Sequence, residues 1–234
     1  DTTRMHEFVM PRIKNAWGFK FQEIHTTVTS VEDHPNYAII NTVDGKLNYN
    51  FVIDCRGFNN PDINDNDVVH LEHVVNRAIV HMKDYPVDSQ YTSHYATQDG
   101  WMWEIPLLTR TNYGYTFNDK ITDVETAKEN FSKELNVPVS ELDETEYRFS
   151  SKYTTKIFGN RVIRNGLGAA FIEPMFSNAL WMYDNIDRHI MQFLNSHKSI
   201  DEIKSTQDLQ HFNNLAIYNI KEVEDLLYFC YHGG

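Results

Sequence analysis

Hydrophobic and polar positions along the chain follow a helical rhythm at both ends and a strand-like rhythm through the middle. Met5, Phe8, Val9, Ile13 and Trp17 fall near helical spacing, which predicts an amphipathic helix over residues 1–17 that Gly18 ends. Two β-prone runs follow, the β-branched Thr26–Val31 and the apolar Tyr37–Val43. Asp44-Gly45 is the hairpin-turn signal into the next strand. Phe51-Val52-Ile53 reads as a buried strand entering a glycine turn at Asp54-Cys55-Arg56-Gly57, and residues 60–67 are loop by composition. From Val68 to Phe117 short strands alternate with turns, among them Trp101–Leu108 and Tyr113–Phe117. Asp123–Leu135 reads as a helix capped by its aspartate, and Asn160–Ile163 as a strand. The clearest helix covers 177–194, where Ala179, Tyr183, Ile186, Ile190, Phe193 and Leu194 form one stripe and Ser177 or Asn178 can cap it. From Ile200 the pattern predicts further helix, interrupted near Asn213-Asn214. Strands and helices are mixed without strict alternation, so the expected class is α/β with an α+β middle.

Composition narrows the partners. Hydrophobic residues make up 41% and aromatics 13% of the 234, enough for one large core or one and a half smaller ones. A formal charge of −12 counts against nucleic acid and anionic membrane, both of which select basic patches. The two cysteines, Cys55 and Cys230, match no metal-ligand spacing and fit a reducing compartment. With no membrane-length apolar run and no signal-like start, the expected location is the cytoplasm. The opening Asp1-Thr2-Thr3-Arg4, without Met, gives the expectation of a piece of a longer protein.

Three segments could carry chemistry. In Gly100–Pro106 the indoles of Trp101 and Trp103, two residues apart, share one face of a strand; on composition alone they read as a core pair. In Arg164–Ala179 small residues after a strand permit close backbone approach, and the following helix start suits an anion. Asp54–Phe58 places a glycine at a strand end, where open α/β sheets gather ligands. Other signals are weaker. His70 and His73 lack a third metal ligand, and the Asp62–Asp67 cluster, Asp84 and Asp88 lack the ordered spacing of a calcium loop. Ser93-His94 has no glycine elbow, Asp201–Asp208 reads as an exposed helical face, and Met175, Met182 and Met191 read as core filling.

In order and spacing the three segments resemble the tryptophan-halogenase family of flavin-dependent enzymes. Asp54–Phe58 resembles its Asp-Cys-x-Gly-Phe/Met turn, Gly100–Pro106 its Gly-Trp-x-Trp-x-Ile-Pro string, and Gly114–Phe117 its Gly-Tyr-x-Tyr/Phe. Gly166–Ala179 resembles its Gly-x-x-x-x-Phe-x-Glu-Pro-Leu-Glu-Ser-Thr-Gly segment. Asn76–Ala78, Gly159–Val162 and Phe229–His232 extend the likeness over nearly the whole chain. The tryptophan string is the most specific element, because ordinary flavin monooxygenases lack it.

The resemblance implies part of an FAD/NAD(P)-binding, Rossmann-like flavin monooxygenase fold with an inserted antiparallel substrate sheet and C-terminal helices. It divides the chain into a partial FAD-binding and substrate-sheet module, 1–176, and a helical segment, 177–234. The implied activity is halogenation of an indole- or phenol-like aromatic by hypohalous acid made from reduced FAD, oxygen and halide. A separate flavin reductase would supply the reduced FAD, and a homo-oligomer is a possible assembly. By position, Gly166, Leu167 and Leu180 would lie against the flavin, and Cys55, Gly57 and Val28 near the adenosine side of the cofactor. Asn178 and Ala179 would hold the halide through their amides, and Trp101, Trp103, Phe176 and Ser177 would face the substrate. The family's Gly-x-Gly-x-x-Gly fingerprint and catalytic lysine are not in this chain and are expected upstream of it. The carboxylate that orients an indole in the family is Phe176 here, which makes free tryptophan a poor fit, and the glycine at the halide site is Ala179. Two alternatives stay open. One is a flavin monooxygenase that does not use halide; the other is a non-catalytic chain that cannot bind FAD alone.

Overall fold

The computed structural model describes residues 2–72, 74–143, 145–197, 199, 202 and 206–232. The chain opens with helix α1 (Thr2–Trp17), followed by strands β1 (Val28–Asp33), β2 (Ala38–Thr42), β3 (Gly45–Tyr49), β4 (Val52–Asp54) and β5 (Val68–His70). Next come β6 (Arg77–Lys83), β7 (Ser93–Ala96), β8 (Gly100–Pro106), β9 (Thr111–Phe117) and helix α2 (Val124–Leu135). Strands β10 (Glu146–Arg148), β11 (Lys152–Thr154), β12 (Val162–Arg164) and β13 (Ala170–Phe171) lead into helices α3 (Asn178–Asn195) and α4 (Thr206–His232).

Strands β1–β3 form an antiparallel meander, and β4 pairs in parallel with β12. The meander is tied to β12 by Asp33, whose carboxylate accepts the backbone N–H groups of Asn160 at 2.8 Å and Arg161 at 2.7 Å. Gly159 sits against that carboxylate so closely that a Cβ there would lie 2.3 Å from an Asp33 oxygen. A three-stranded sheet in the order β13-β11-β5 and a five-stranded antiparallel sheet in the order β10-β6-β9-β8-β7 complete the framework.

The five-stranded sheet separates two cores, because strand side chains alternate between its faces. Ile79, Met102, Tyr113, Tyr115 and Phe117 point to one side and pack against Ala127, Phe131 and Leu135 of α2. Trp101 and Trp103 point to the other side, into the larger core shared with α3 and α4. Helix α2 begins where Asp123 accepts the Thr126 N–H at 2.9 Å and ends at Asn136 in the left-handed conformation (φ 51°).

Several expectations shift. The first strand lies two residues later than Thr26–Val31, and the strand expected at Asn160–Ile163 forms at Val162–Arg164. Among the described residues the predicted break at Asn213-Asn214 is absent, and α4 runs unbroken from Thr206 to His232. Asn213 is buried, but its amide is fully used: Oδ1 accepts the Phe158 N–H at 2.8 Å and Nδ2 donates to the Phe158 carbonyl at 2.9 Å. A residue that reads as a helix breaker in isolation is therefore a bridge between α4 and the loop before β12. Of the methionines expected in the core, Met175 and Met182 are buried, whereas Met191 lies on the solvent side of α3. Ile200, Asp201 and Ile203–Ser205 fall outside the described residues, so the helix expected from Ile200 is seen only from Thr206.

Candidate active site

The tryptophan wall is built by strand register. In β8 Trp101 and Trp103 lie on one face with ring centroids 5.6 Å apart, and Trp101 is buried. Thr116 of β9, directly across from Trp101, donates its hydroxyl to the Trp101 carbonyl at 2.7 Å. Trp103 pairs with Gly114, and only the missing side chain lets the indole lie on the β9 backbone: a Cβ there would be 1.8 Å from Trp103 Cζ2. Gly114→Ala is therefore expected to displace Trp103 and to destabilise the protein by about 2 kcal/mol. Paired denaturation curves and tryptophan emission spectra check this; an unchanged spectrum would show that the indole does not depend on the glycine.

The wall continues into two further rings. His94 of β7, paired with Trp103, has its ring centroid 5.5 Å from that of Trp101 and 5.3 Å from that of Phe176. Phe176 and Ser177 both adopt left-handed backbone angles, φ 61° and 56°, so the chain turns sharply between Pro174 and α3. That turn swings the Phe176 ring back toward the sheet.

Behind the wall lies a buried acid. Glu173 is fully buried; its carboxylate accepts the Tyr231 hydroxyl of α4 at 2.5 Å, and its N–H donates to Ser151 Oγ at 3.1 Å. Burial pushes its carboxyl up to about 7, against the opposing pull of Tyr231, of the Trp101 indole N–H and of the Val75 backbone. The Trp101 N–H faces this group without a well-aligned hydrogen bond. Burial and the neighbouring carboxylate push the Tyr231 hydroxyl far above the usual phenol range.

The residues at the two glycine turns converge at the ends of the parallel pair. A Cβ on Gly57 would lie 3.8 Å from the Leu167 Cβ, and one on Gly166 (φ 64°) would lie 3.8 Å from the Cys55 carbonyl oxygen. Val28 and Cys55 line one open cavity of about 270 Å³ together with Val31, Ile40, Val52 and Arg56. Asp54 anchors its floor: Arg56 and Asn60 donate to its buried carboxylate and, outweighing burial, hold it below the usual range. Leu167 is half exposed, and Leu180, in the first turn of α3, is largely exposed. An apolar, glycine-relieved cleft at the carboxyl end of parallel strands suits a flat dinucleotide cofactor.

At the start of α3 the cap residue Ser177 makes no side-chain hydrogen bond, so the first-turn N–H groups are left to other partners. Asn178 is only 7% exposed, and neither side-chain amide atom has a hydrogen-bond partner among the described residues. An unfilled polar group of this kind next to a helix start is the arrangement an anion completes.

Other sequence signals find no site. His73 lies outside the described residues, and among the described residues no cluster of three His, Cys, Asp or Glu could hold a metal. Cys55 and Cys230 are free and exposed, and no described helix is long and apolar enough to cross a membrane. Reading the sequence missed His94, Glu173 and Tyr231 as site members. Glu173 and Tyr231 do fall inside the family-like segments Gly166–Ala179 and Phe229–His232, and His94 stands out there only as the neighbour of Ser93.

Solved structures with this fold include flavin-dependent halogenases. One from Xanthomonas campestris matches 95% of this chain and 45% of its own length at TM-score 0.75 and 19% identity. Another from Brevundimonas sp. BAL3 matches 93% and 45% at TM-score 0.74 and 18% identity. The chain belongs to the tryptophan halogenase family, whose model matches residues 2–233. A tryptophan 7-halogenase from Kutzneria sp. (strain 744) is 27% identical over 167 residues, 66% of this chain and 31% of that protein. A tryptophan 6-halogenase from Streptomyces albogriseolus is 25% identical over 138 residues, 55% of this chain and 26% of that protein. The chain thus matches between about a quarter and a third of the length of these curated relatives.

Proposed function

We propose that this chain is the substrate-facing part of an FAD-dependent halogenase that acts on an indole- or phenol-like aromatic. The observation that carries the reading is the arrangement of a tryptophan wall, Trp101 buried and Trp103 partly so, beside a helix start that can hold an anion, joined through His94 and Phe176. Asn178 and Ala179 hold the halide at the N-terminus of α3, where N–H groups and the helix dipole favour negative charge. Cys55, Gly57, Gly166 and Leu167, with Val28 and Leu180, form the flavin cleft, and residues 1–176 and 177–234 act as its sheet-rich and helical parts. Bound FAD would supply the redox chemistry that turns oxygen and halide into an electrophilic halogen, with a reductase keeping it reduced. Trp101 and Trp103 bar water and substrate from that chemistry by bulk. Phe176 and Ser177 border the substrate side. A phenyl ring cannot accept a proton, so an aromatic other than free tryptophan is the fitting substrate.

The test supplies the full-length protein with a flavin reductase, FAD, chloride or bromide, and a panel of indoles and phenols. Halogenated products are expected by mass spectrometry, with yield rising with halide. Hydroxylated but never halogenated products would sink this reading in favour of a monooxygenase that does not use halide.

A further inference from the structure

The wall contains one polar side chain that nothing in the protein employs. His94 is half-buried between Trp101 and Phe176, and its imidazole makes no hydrogen bond or ion pair with any described residue. Neither ring nitrogen is among the sealed, unpartnered atoms of the described residues, so both stay open to solvent or to a ligand. The surroundings also select its charge state: removal from water holds the imidazole below its usual range, and no charged neighbour counters the effect. A neutral imidazole carries one donor and one acceptor nitrogen. Its position is held from three sides, by the register of β7 on β8, by the Trp101 ring, and by Phe176 on its strained turn.

The location is specific. Strand β7 is the edge of its sheet, so beyond His94 the sheet presents no further strand. Phe176 joins it directly to Ser177 and Asn178 at the start of α3. Every other ring in this stretch of the wall is hydrocarbon or donor-only indole, so among the rings His94 alone offers a hydrogen-bond acceptor. An aromatic bearing an N–H or O–H could lay its ring on the half-exposed Phe176 and direct that polar hydrogen at the free nitrogen.

We infer that His94 is a substrate-contacting specificity residue: its imidazole accepts a hydrogen bond from the ring N–H or O–H of an aromatic that lies against the exposed face of Phe176. This rests on the proposed halogenation for its kinetic consequence but not for the contact itself. It predicts a preference for indoles and phenols over N-methylindoles and aryl ethers of the same shape.

Two substitutions separate the hydrogen bond from the packing. His94→Phe keeps a flat ring between Trp101 and Phe176 and removes both nitrogens; His94→Gln restores an acceptor without the ring. In the full-length protein His94→Phe is expected to lower kcat/KM for indoles and phenols about tenfold through KM, the usual weight of one hydrogen bond at a partly buried site. N-methylated and O-methylated substrates should change little, and His94→Gln should recover part of the loss. A His94→Phe enzyme whose preference for N–H or O–H substrates is unchanged would overturn the assignment, since packing alone would then explain the residue. A second readout does not need turnover: the imidazole nitrogen NMR signals of His94 are followed while indole or phenol is added to the flavin-free protein. A shift at His94 that N-methylindole does not produce supports the contact even if no halogenated product ever forms. Identical responses to indole and N-methylindole would overturn it even if halogenation is observed.

Discussion

Glu173→Gln is expected to remove a loss of stability that the wild-type protein suffers as pH rises from about 4.5 to 7. In the unfolded chain this carboxyl ionises near 4.5, whereas in the folded protein burial between Trp101, Ser151 and Tyr231 raises it to about 7. Between those values the folded state keeps a proton that the unfolded state has released. Stability from this group is therefore complete below about pH 4.5, declines through the interval and is flat above 7. The shift corresponds to about 3 kcal/mol. Glutamine keeps the shape and cannot ionise, so its unfolding free energy should lack this slope and exceed that of wild type at pH 8. Asp54, Asp99 and Glu146, held low by their partners, act in the opposite sense and only at more acid pH. Denaturation midpoints of both proteins from pH 4.5 to 8.5 check the effect. Parallel curves would mean that the carboxylate is accommodated and that the Tyr231 contact is an ordinary charge-assisted bond.

Asn178→Asp is expected to disable halide use while leaving the fold intact. The two side chains are isosteric, and a carboxylate in the first turn of α3 interacts favourably with the helix dipole. The same carboxylate would sit where the anion is proposed to bind. Two like charges about 4 Å apart repel by roughly 4 kcal/mol at an effective dielectric near 20, so a fall of about 100-fold or more in kcat/KM for halide is expected. Asn178→Ala removes the unpartnered amide without adding charge and should cost about tenfold or less. Initial rates across a bromide titration, with thermal melting as the fold control, decide the matter. A halide KM unaffected by the aspartate would move the anion site elsewhere.

Much of the framework could be read from residue order alone. The alternation of Trp101, Met102 and Trp103 specifies two faces whatever lies against them, because side chains in a strand point alternately up and down. The Asp123 cap, the Asp44-Gly45 turn and the α3 stripe are equally local, resting on short-range hydrogen bonds, turn geometry and helical period. Boundaries moved by two residues at β1 and β12 because pairing partners, not propensity, end a strand. Asn213 was misread for the same reason: its partner, Phe158, lies 55 residues away. Among site residues, the glycines at 57, 114 and 166 and the tryptophan pair were visible as motif positions. His94 was not, because a histidine on an edge strand has no pattern of its own; Tyr231 lay in a family-like segment, but its contact with Glu173, 58 residues away, did not show there.

The sequence by itself determined the class of fold, the shared face of Trp101 and Trp103, the small residues at the turns and the family to which the chain belongs. All of these depend on spacing along the backbone. Only the tertiary structure decided that Trp103 rests on Gly114, that Glu173 is sealed between β8 and α4 and holds its proton near neutrality, and that His94 stands unpartnered between Trp101 and Phe176. Those properties come from desolvation and from contacts between segments tens of residues apart, and neither is encoded in any local pattern.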